Sequence, residues 1–501
     1  MSSKSKTVLV QFDRGHSKGL SDYTEDIELV NYYQVPSTGR SDFDLCDLHG
    51  SKTLTTATPS QGVGGRGNFM ASTGPKSRGY KSTPYTVIGN SLYRINDDNS
   101  LFLIGEVRNA TGMVSFAENQ SQGTDSYGYV CDGVTVYKWL LKEESPTLTE
   151  IDRLPLVNGS TDERAIATYI SYNTYRLILT CGNSNQWYYS GLSDNNFTDT
   201  AWETTESMPD QTVRVISHAS TIKAFSRYSL DIFAYTSSEA DPFDVPTGGS
   251  STIGCESGDS IAVTGDYIAW LGQSINHNGA VYLMDASGQI TRISTPQQEN
   301  ILRAWKFRST AKGFWLNERG LTFYVLTSKE DKYTLCYCLE TKMWHRRSTS
   351  MNGRLSYWDI FQTITVGGDT VFTTNDSNKL GVFNEKVIKD HNNYPITRYW
   401  SSQIFIDGLN EFRLDQLRVD MECGRSHTPT DNTEIYAQVK WDGSWEEREL
   451  EDIGAVGEFE KYISFYSLGV GSNMVIRIGT SATIPMTLHQ LRLTITPTGR
   501  R

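Results

Sequence analysis

The sequence lacks two features, a long apolar run and an excess of positive charge. No stretch approaches the ~18 consecutive apolar residues that a membrane-spanning helix requires. The 58 Asp and Glu residues outnumber the 46 Lys and Arg residues, so the net charge is −12. Clustered Lys and Arg bind nucleic acid without sequence preference and attract proteins to acidic membranes. We therefore expect no membrane insertion, and only transient contact with DNA, weak or spatially enforced, without sequence-specific binding.

Cysteine is scarce, and its spacing fits no disulfide framework. An odd number of scattered cysteines predicts reduced, buried thiols. The apolar stretch at residues 8–12 is interrupted by Gln11 and followed by Asp13, so it is too short for the core of a signal peptide. We expect the protein to be made and kept in a cytoplasm. The seven cysteines are Cys46, Cys131, Cys181, Cys255, Cys336, Cys338 and Cys423.

Local catalytic motifs are also missing. The chain has neither a Gly-x-Ser-x-Gly nucleophile elbow nor a phosphate-binding glycine loop with its lysine. Residues 193–202 contain a Ser, several Asp and a Trp, but not the Ser-x-Asp-x-Gly-x-x-Trp spacing of propeller sialidases, and a plain hairpin explains them. With 58 acidic residues, the two opposed carboxylates of a glycosidase can be neither excluded nor chosen. We expect that the protein is not an enzyme, that it has no catalytic or cofactor-binding residues, and that it binds no cofactor.

One cluster near the N-terminus offers metal-binding side chains. Asp44, Cys46, Asp47 and His49 lie close together in the sequence. They include a single imidazole, and no second Cys or His cluster completes a zinc-like spacing. An ordinary turn or strand edge is therefore favoured over a metal site.

Three other clusters favour structural interpretations. Cys336 and Cys338 are separated by one residue, so on a strand they face the same side, which predicts core packing. Residues 344–347 form the densest basic and aromatic spot, and a blade-edge strand with solvated charges or a subunit contact is favoured over a nucleic-acid or glycan surface. A solvated loop is predicted for the acidic run of Glu446, Glu447, Glu449, Glu451 and Asp452.

What the sequence does contain is a repeated β-strand pattern. Its 27 Tyr, 19 Phe and 11 Trp suit pleated, half-buried surfaces. Turn residues followed by alternating apolar residues recur at spacings of roughly 40–54 residues, close to the period of propeller blades. The pattern predicts a β-propeller of about seven blades, and unrelated hairpins in a sandwich are the alternative. The markers of the seven repeats are Asn90, Gly133, Asn173, Ser220, Asp266, Gly320 and Gly368.

The 501 residues exceed the usual size of a single core, so more than one unit is expected. We predict an extended N-terminal arm with the first strands at residues 1–80, a propeller at 81–390, and a C-terminal β-sandwich docking domain at 391–501. The Gly-rich residues 51–79 suggest an arm or a long loop. We also expect the ring to close between residues 80–95 and the strand near Phe372.

Several stretches, taken in order over most of the chain, resemble one family. The segment Leu-Val-Asn-Tyr-Tyr at 29–33 is similar to an early Leu-Pro-Val-Asn segment of that family, although the tyrosines differ. The family is that of the packaged-DNA stabilisation proteins, or tail hubs, of lambdoid short-tailed phages. None of the matching stretches is a catalytic signature, so specificity rests on their order. The further stretches are 65–67, 90–95, 229–235, 254–255, 266–271, 280–283, 381–383 and 413–421.

This resemblance implies a structural virion protein of the phage tail, made in the cytoplasm of the host bacterium. It implies a six-fold ring of this chain below the portal and its adaptor or head-completion protein. Such a ring closes the channel, retains packaged DNA, and docks a tail needle or plug and tailspikes or fibres. The alternatives are a carbohydrate-binding or glycoside-cleaving propeller, which a glycan array would reveal, and a cellular propeller scaffold, which would stay monomeric.

Overall fold

The computed structural model describes residues 5–19, 27–37, 39, 41–119, 126–157, 160–182, 184–205, 207–208, 210–238, 241–351, 354–406, 410–422, 433–453 and 460–500. The described elements are almost all strands. The described α-helix, α1 (Pro296–Ala304), starts where Thr295 and Gln298 form a capping box and Pro296 occupies the first turn. Five strands precede the first blade in the sequence: β1 (Lys6–Val10), β2 (Leu29–Val30), β3 (Tyr32–Pro36), β4 (Phe43–Asp47) and β5 (Gly50–Thr56).

The first four blades are antiparallel sheets that follow one another along the chain. Blade 1 contains β6 (Gly65–Ala71), β7 (Thr83–Ile88), β8 (Ser91–Ile95) and β9 (Leu101–Glu106). Blade 2 contains β10 (Ser115–Glu118), β11 (Tyr127–Cys131), β12 (Val136–Leu140) and β13 (Thr149–Glu150). Blade 3 contains β14 (Ala167–Asn173), β15 (Arg176–Cys181), β16 (Gln186–Ser190) and β17 (Phe197–Thr204). Blade 4 contains β18 (Thr212–His218), β19 (Thr221–Ser226), β20 (Leu230–Tyr235), β21 (Phe243–Asp244) and β22 (Ser250–Ser251).

Three more blades complete the ring. Blade 5 contains β23 (Gly254–Cys255), β24 (Ala262–Thr264), β25 (Tyr267–Ser274), β26 (His277–Met284) and β27 (Ile290–Arg292). Blade 6 contains β28 (Lys312–Glu318), β29 (Leu321–Ser328), β30 (Tyr333–Cys338) and β31 (Trp344–Arg347), and a small hairpin follows, β32 (Ser350–Met351) and β33 (Arg354–Leu355). Blade 7 contains β34 (Ile360–Val366), β35 (Asp369–Thr374), β36 (Lys379–Asn384) and the earlier strand β5. The prediction of an all-β propeller of about seven blades is confirmed.

Large aromatic side chains fill the spaces between blades. Each blade exposes both faces to its neighbours, so its middle strands are buried on both sides, as β7 and β15 are along their whole length. Trp139 of blade 2 lies against a tyrosine of blade 1 with ring centroids 5.2 Å apart. Trp187 and Trp270 make equivalent contacts with phenylalanines of blade 4 at the same distance. This packing explains the abundance of aromatic residues in the sequence.

The seven markers fall in or beside turns of seven different blades, but not all in the same turn. Five of them lie between the first and second strands, if β23 and β24 are counted as two parts of the first strand of blade 5 because both pair with β25. Asn90 and Gly133 lie between the second and third strands. In blades 1 and 2 the first connection is long, so it carries no tight-turn signature for the sequence pattern to detect. The number of repeats was therefore correct, while the alignment of the first two was shifted by one turn.

The ring closes differently from the expectation. β5 pairs antiparallel with β36, for example Thr53 with Gly381, and supplies the outer strand of blade 7. The predicted closure through residues 80–95 is wrong, because those residues form the second and third strands of blade 1. Blade 7 has only three strands of its own after residue 359, so a strand from before the first blade completes it. Backbone hydrogen bonds thereby join the two ends of the propeller.

Two sheets form the C-terminal sandwich. Its strands are β37 (Arg398–Ser401), β38 (Phe405–Ile406), β39 (Asn410–Glu422), β40 (Glu434–Trp441), β41 (Ser444–Trp445), β42 (Glu449–Asp452), β43 (Glu460–Tyr466), β44 (Val470–Gly471), β45 (Asn473–Thr480) and β46 (Thr487–Arg500). The first sheet has the order β3-β4-β46-β39-β43, with β1 beside β46 and β44 beside β39. The second has the order β2-β37-β45-β40-β41, with β38 and β42 at its sides. Residues from both sheets share one core, to which the N-terminal Leu29, Tyr32 and Leu45 belong.

N-terminal strands thus contribute to both parts of the molecule. β1 to β4 lie in the sandwich, and β5 and β6 lie in blades 7 and 1. All six fall within residues 1–80, the range predicted to hold an arm and the first strands. The division of the chain into three domains at residues 80 and 390 stays a prediction.

The seam between blades 1 and 7 yields a testable prediction. Gly64 has φ +85°, and an added Cβ would lie 2.1 Å from the Asn375 carbonyl oxygen of blade 7. We expect Gly64→Ala to lower the free energy of unfolding by about 2–4 kcal/mol, from left-handed backbone strain and the clash. The control is Gly79→Ala, at φ +67° with nothing within 4 Å, which should cost only about 1–2 kcal/mol. Chemical denaturation measures both, and equal losses would contradict a steric constraint at the seam.

Candidate functional site: the joint between propeller and sandwich

The joint is defined here by β2, Asn31 and two buried ion pairs, Asp47–Arg398 and Glu318–Arg347. Its backbone element is β2, which pairs parallel with β31 of blade 6 and antiparallel with β37 of the sandwich. The sheet of blade 6 consequently continues into the sandwich as an 11-stranded sheet. Bending at this edge would break backbone hydrogen bonds in a buried environment, which is costly. The propeller and the sandwich therefore form one body at this edge.

Asn31 directly follows β2 and bonds to both parts of the molecule. It is 1% exposed and has φ +56°, a left-handed conformation that Asn tolerates better than most residues. Its side-chain amide donates to the carbonyl of Ser348, next to blade 6, at 2.9 Å and to that of Thr397, next to β37, at 2.8 Å. Its side-chain oxygen accepts the Ser348 N–H at 2.8 Å. One residue thus satisfies three backbone groups that would otherwise be buried without partners.

The first ion pair lies on the sandwich side of the joint. Arg398 Nε is 2.6 Å from Asp47 Oδ1, and both side chains are 1% exposed or less. Arg398 also donates to the carbonyls of Ala482 and Ile484, at 2.6 and 2.8 Å. Burial raises the pKa of Asp47 to about 6, against the opposing effects of Arg398 and of the Met486 N–H. Because the carboxylate is buried away from solvent, its charge depends on this arginine.

The second ion pair lies on the propeller side. Arg347 is 2.8 Å from Glu318, and neither side chain is more than 3% exposed. The guanidinium also lies over the ring of Trp358, 4.8 Å from its centroid. Glu318 accepts the His49 N–H at 2.8 Å. Burial alone would raise the pKa of Glu318, but Arg347 and His49 outweigh it and hold that pKa below its usual value.

The histidines at the joint are kept neutral. Burial, followed by the charge of Arg347, lowers the pKa of His345 well below its ordinary value. Burial is also the main cause of the lowered pKa of His49. A neutral imidazole can accept a hydrogen bond, and His345 accepts one from Arg347 Nε at 3.0 Å. These residues hold the joint together by hydrogen bonds without carrying charge near neutral pH.

Side chains near the propeller axis connect blades 3, 4 and 5. Tyr169 donates to Asp259 Oδ1 at 2.9 Å, and the guanidinium of Arg214 lies 4.6 Å from the Tyr169 ring centroid. Arg214 also donates to the Gly258 carbonyl at 2.9 Å. Burial, together with Asp259, raises the pKa of Tyr169 well above its ordinary value. This network ties neighbouring blades to one another, and its carboxylate is already hydrogen-bonded.

The four residues that were considered as metal ligands, Asp44, Cys46, Asp47 and His49, have separate partners. Asp44 pairs with His489 at 3.1 Å, Asp47 pairs with Arg398, and His49 lies beside Glu318. The thiol of Cys46 lies 4.0 Å from the Thr487 hydroxyl. In the described part of the chain, no group of three or more His, Cys, Asp and Glu side chains is arranged to hold a metal ion. The cluster contributes to the joint instead.

The basic and aromatic spot is not a solvated edge. Trp344–Arg347 is the outer strand of blade 6, but β2 covers it, and Arg347 is 0% exposed. The predicted blade-edge strand with solvated charges is therefore wrong, because a distant segment pairs with that edge. Arg346 is half-buried and lies over the Tyr333 ring at 4.0 Å. The acidic run behaves as predicted in being exposed, although Glu449–Asp452 is a strand and not a loop.

The remaining local predictions agree with the structure. Cys336 and Cys338 both pack in the core of blade 6. Phe197–Thr204 forms a hairpin with the preceding strand of blade 3. Sequence reasoning did not single out Asn31, Glu318 or Arg398. For Asn31 a signal exists, since it is the polar residue inside the otherwise apolar segment Leu-Val-Asn-Tyr-Tyr.

Deep burial affects four of the described thiols. It raises the pKa of Cys131, Cys181, Cys255 and Cys336 to about 12. Because the thiolate is the reactive form, we expect none of these four to react with a thiol-specific reagent at pH 8 in the native protein. Mass spectrometry after labelling, with a denatured sample as control, measures this. Rapid native labelling of any of the four would contradict the buried placement. Cys423 lies outside the described residues.

Three solved structures are similar to this chain at low sequence identity. No curated protein matches the chain. The Pan2 WD40 domain of Neurospora crassa is similar at 12% identity, covering 74% of this chain and 97% of that one, with a TM-score of 0.35. An exo-β-1,3-galactanase from Phanerochaete chrysosporium is similar at 8% identity, covering 75% and 95%, with a TM-score of 0.28. The extracellular domain of a putative one-component system from B. thetaiotaomicron reaches a TM-score of 0.41 at 10% identity, covering 67% and 40%.

Among the described residues, no helix is long and apolar enough to cross a membrane.

A family model gives the more specific result. The model described as bacteriophage P22 Gp10, β-propeller, matches residues 59–388, well over half of the chain. This range contains all the strands that blades 1 to 7 take from the middle of the chain. The suspected resemblance is confirmed, and the chain belongs to the family of the bacteriophage P22 Gp10 β-propeller, whose members are structural proteins of the phage virion.

Proposed function

We propose that the protein is the head-to-tail connector and tail hub of a phage tail, and that it acts without catalysis. In this role a six-fold ring of the chain binds the portal-side adaptor, closes the channel and retains packaged DNA. The ring also docks a needle or plug and tailspikes or fibres. Membership in the Gp10 family supports a virion location, and the more specific roles are those that the resemblance to the tail-hub proteins implies.

The joint is the observation that carries this proposal. A connector must transmit force between the head and the distal tail parts without bending. Here a shared sheet and Asn31 join the propeller to the sandwich, and one buried ion pair stabilises each side of the joint. Domains that move relative to one another usually meet at small polar interfaces instead. A single body of this kind suits a ring subunit.

The net charge supports a passive relation to DNA. At −12, the chain repels phosphate on average, so DNA can pass through a ring without adhering to it. We expect DNA ejection to slow when acidic residues that face the bore of the ring are neutralised. Unchanged ejection rates in such variants would contradict this part of the proposal.

Electron microscopy tests the proposal directly. The purified chain is imaged with and without its portal-side partner, and particles are classified by rotational symmetry. We expect six-fold rings in at least one of the two conditions. To test whether ring formation depends on the buried ion pair beside the joint, Arg398→Met is imaged in parallel. We expect this variant to form fewer or irregular rings. Isolated propellers of the unmodified chain in both conditions would contradict the hub function.

A further inference from the structure

The sandwich has two open sides, at opposite edges of its first sheet. The first open side consists of β1 and the adjacent β38. The second open side consists of β43, β44 and the adjacent β42. Among the described strands, β1 pairs with β46 alone and β43 pairs with β39 alone, so each has a free backbone edge. A free edge is a template for pairing with another strand.

The first open side is apolar and carries positive charge. Leu9 in β1 is 55% exposed and Ile406 in β38 is 58% exposed. Between the two strands lies a groove of about 260 Å³ whose apolar lining includes Trp400 and Phe405. The exposed charged residues at this side are Lys6 and Arg14, which are basic, and Asp13, which is acidic and also lines the groove, so their net charge is positive.

The second open side is apolar and acidic. Leu450, Tyr466 and Val470 are 58%, 60% and 50% exposed. A groove of about 560 Å³ lies between β42 and the turn before β44. Arg448 is the basic residue among five acidic residues of the exposed run, namely Glu446, Glu447, Glu449, Glu451 and Asp452.

We propose that the first open side of one copy docks on the second open side of the next copy, so that β1 adds to β43. This inference rests on the proposed function, since it specifies how the ring subunits meet. The two sides are complementary, because each has a free strand edge, exposed apolar side chains and a groove, while their charges are opposite. They are different patches of the same chain, so the contact is head-to-tail.

A second copy of the chain is the occupant that accounts for both sides at once. A head-to-tail contact closes into a ring when its rotation is a fraction of a full turn. In a closed ring every copy uses one first side and one second side, so neither the β1 edge nor the β43 edge stays free. Any partner that covered one side alone would leave the other edge and its apolar side chains open to aggregation.

Capping variants test the inference. Leu9→Glu blocks the first side, and Tyr466→Glu blocks the second. Both positions are exposed on the outer face of the sheet, so folding should persist. The control is Tyr175→Glu on blade 3, where the tyrosine is 51% exposed. The oligomeric state is measured by sedimentation velocity and native mass spectrometry, in the condition in which the unmodified chain forms rings.

The head-to-tail arrangement predicts a specific pattern. Each capping variant alone should be monomeric, because every contact needs one intact side of each kind. An equimolar mixture of the two should form dimers and nothing larger, because one intact contact remains per pair. The control should form the same rings as the unmodified chain.

The failures of the two proposals can be told apart. If both capping variants still form rings, or if their mixture stays monomeric, the ring uses other surfaces and this inference is overturned while the hub function stands. If the unmodified chain forms no rings with or without its portal-side partner, the hub function and this inference both fall.

Discussion

Arg398→Met is expected to lower the free energy of unfolding by about 3–5 kcal/mol, the usual cost of leaving a buried charge without its partner. The substitution keeps most of the side-chain volume and removes the cation beside Asp47. It also leaves the carbonyls of Ala482 and Ile484 without their donor. The effect should be centred on the sandwich, where all three partners lie.

The loss should depend on pH in a defined direction. Burial already raises the folded-state pKa of Asp47 to about 6, and without Arg398 this pKa rises further. A carboxyl whose pKa is higher in the folded than in the unfolded state adds to the free energy of unfolding. This contribution is complete below the unfolded-state pKa and is lost as the pH rises through the folded-state pKa. The loss of unfolding free energy in Arg398→Met should therefore be largest at pH 7 and smaller at pH 5. Urea denaturation at both values measures it.

The matched control is Arg413→Met. Arg413 Nε is also 2.6 Å from a carboxylate oxygen, that of Asp415, but its side chain is 56% exposed. An exposed pair of this kind contributes about 0–1 kcal/mol. Similar losses for the two variants would mean that burial of the Asp47–Arg398 pair has no energetic consequence.

Asn31→Leu is expected to cost at least about 4 kcal/mol of unfolding free energy. The substitution removes three hydrogen bonds, so the N–H and carbonyl of Ser348 and the carbonyl of Thr397 lose their partner, at about 1–3 kcal/mol each where no water replaces it. It also places a leucine at φ +56°, which adds about 1–2 kcal/mol. Because both sides of the joint lose contacts, we expect the loss to appear as weaker coupling between propeller and sandwich.

An exposed asparagine separates these contributions. Asn393 has φ +69° and lies on the surface, so Asn393→Leu should cost only the backbone strain. Denaturation of both variants gives the difference, and limited proteolysis reports whether the joint opens. If Asn31→Leu costs no more than Asn393→Leu, the side-chain hydrogen bonds do not hold the joint.

Strand pattern and blade number were predictable because they depend on local features. Alternating apolar residues after a turn identify a half-buried strand wherever it lies, and seven such units implied a ring. The shift at Asn90 and Gly133 shows the limit of this reasoning, since long first connections carry no turn signature. Family membership was also predictable, because the order of the matching stretches is a property of the sequence.

The amino-acid sequence by itself determined the all-β class, the propeller, the sandwich and the family. The tertiary structure alone decided which distant segments meet. β5 closes blade 7 across more than 300 residues, and β2 covers the outer strand of blade 6 from a similar distance. These pairings turn Arg347 from an expected surface charge into a buried one and make Asn31 the centre of the joint. The physical reason is that local periodicity indicates which face of a strand is apolar. The backbone hydrogen bonds of a strand edge are the same for every sequence, so the pattern does not indicate which distant strand pairs with that edge.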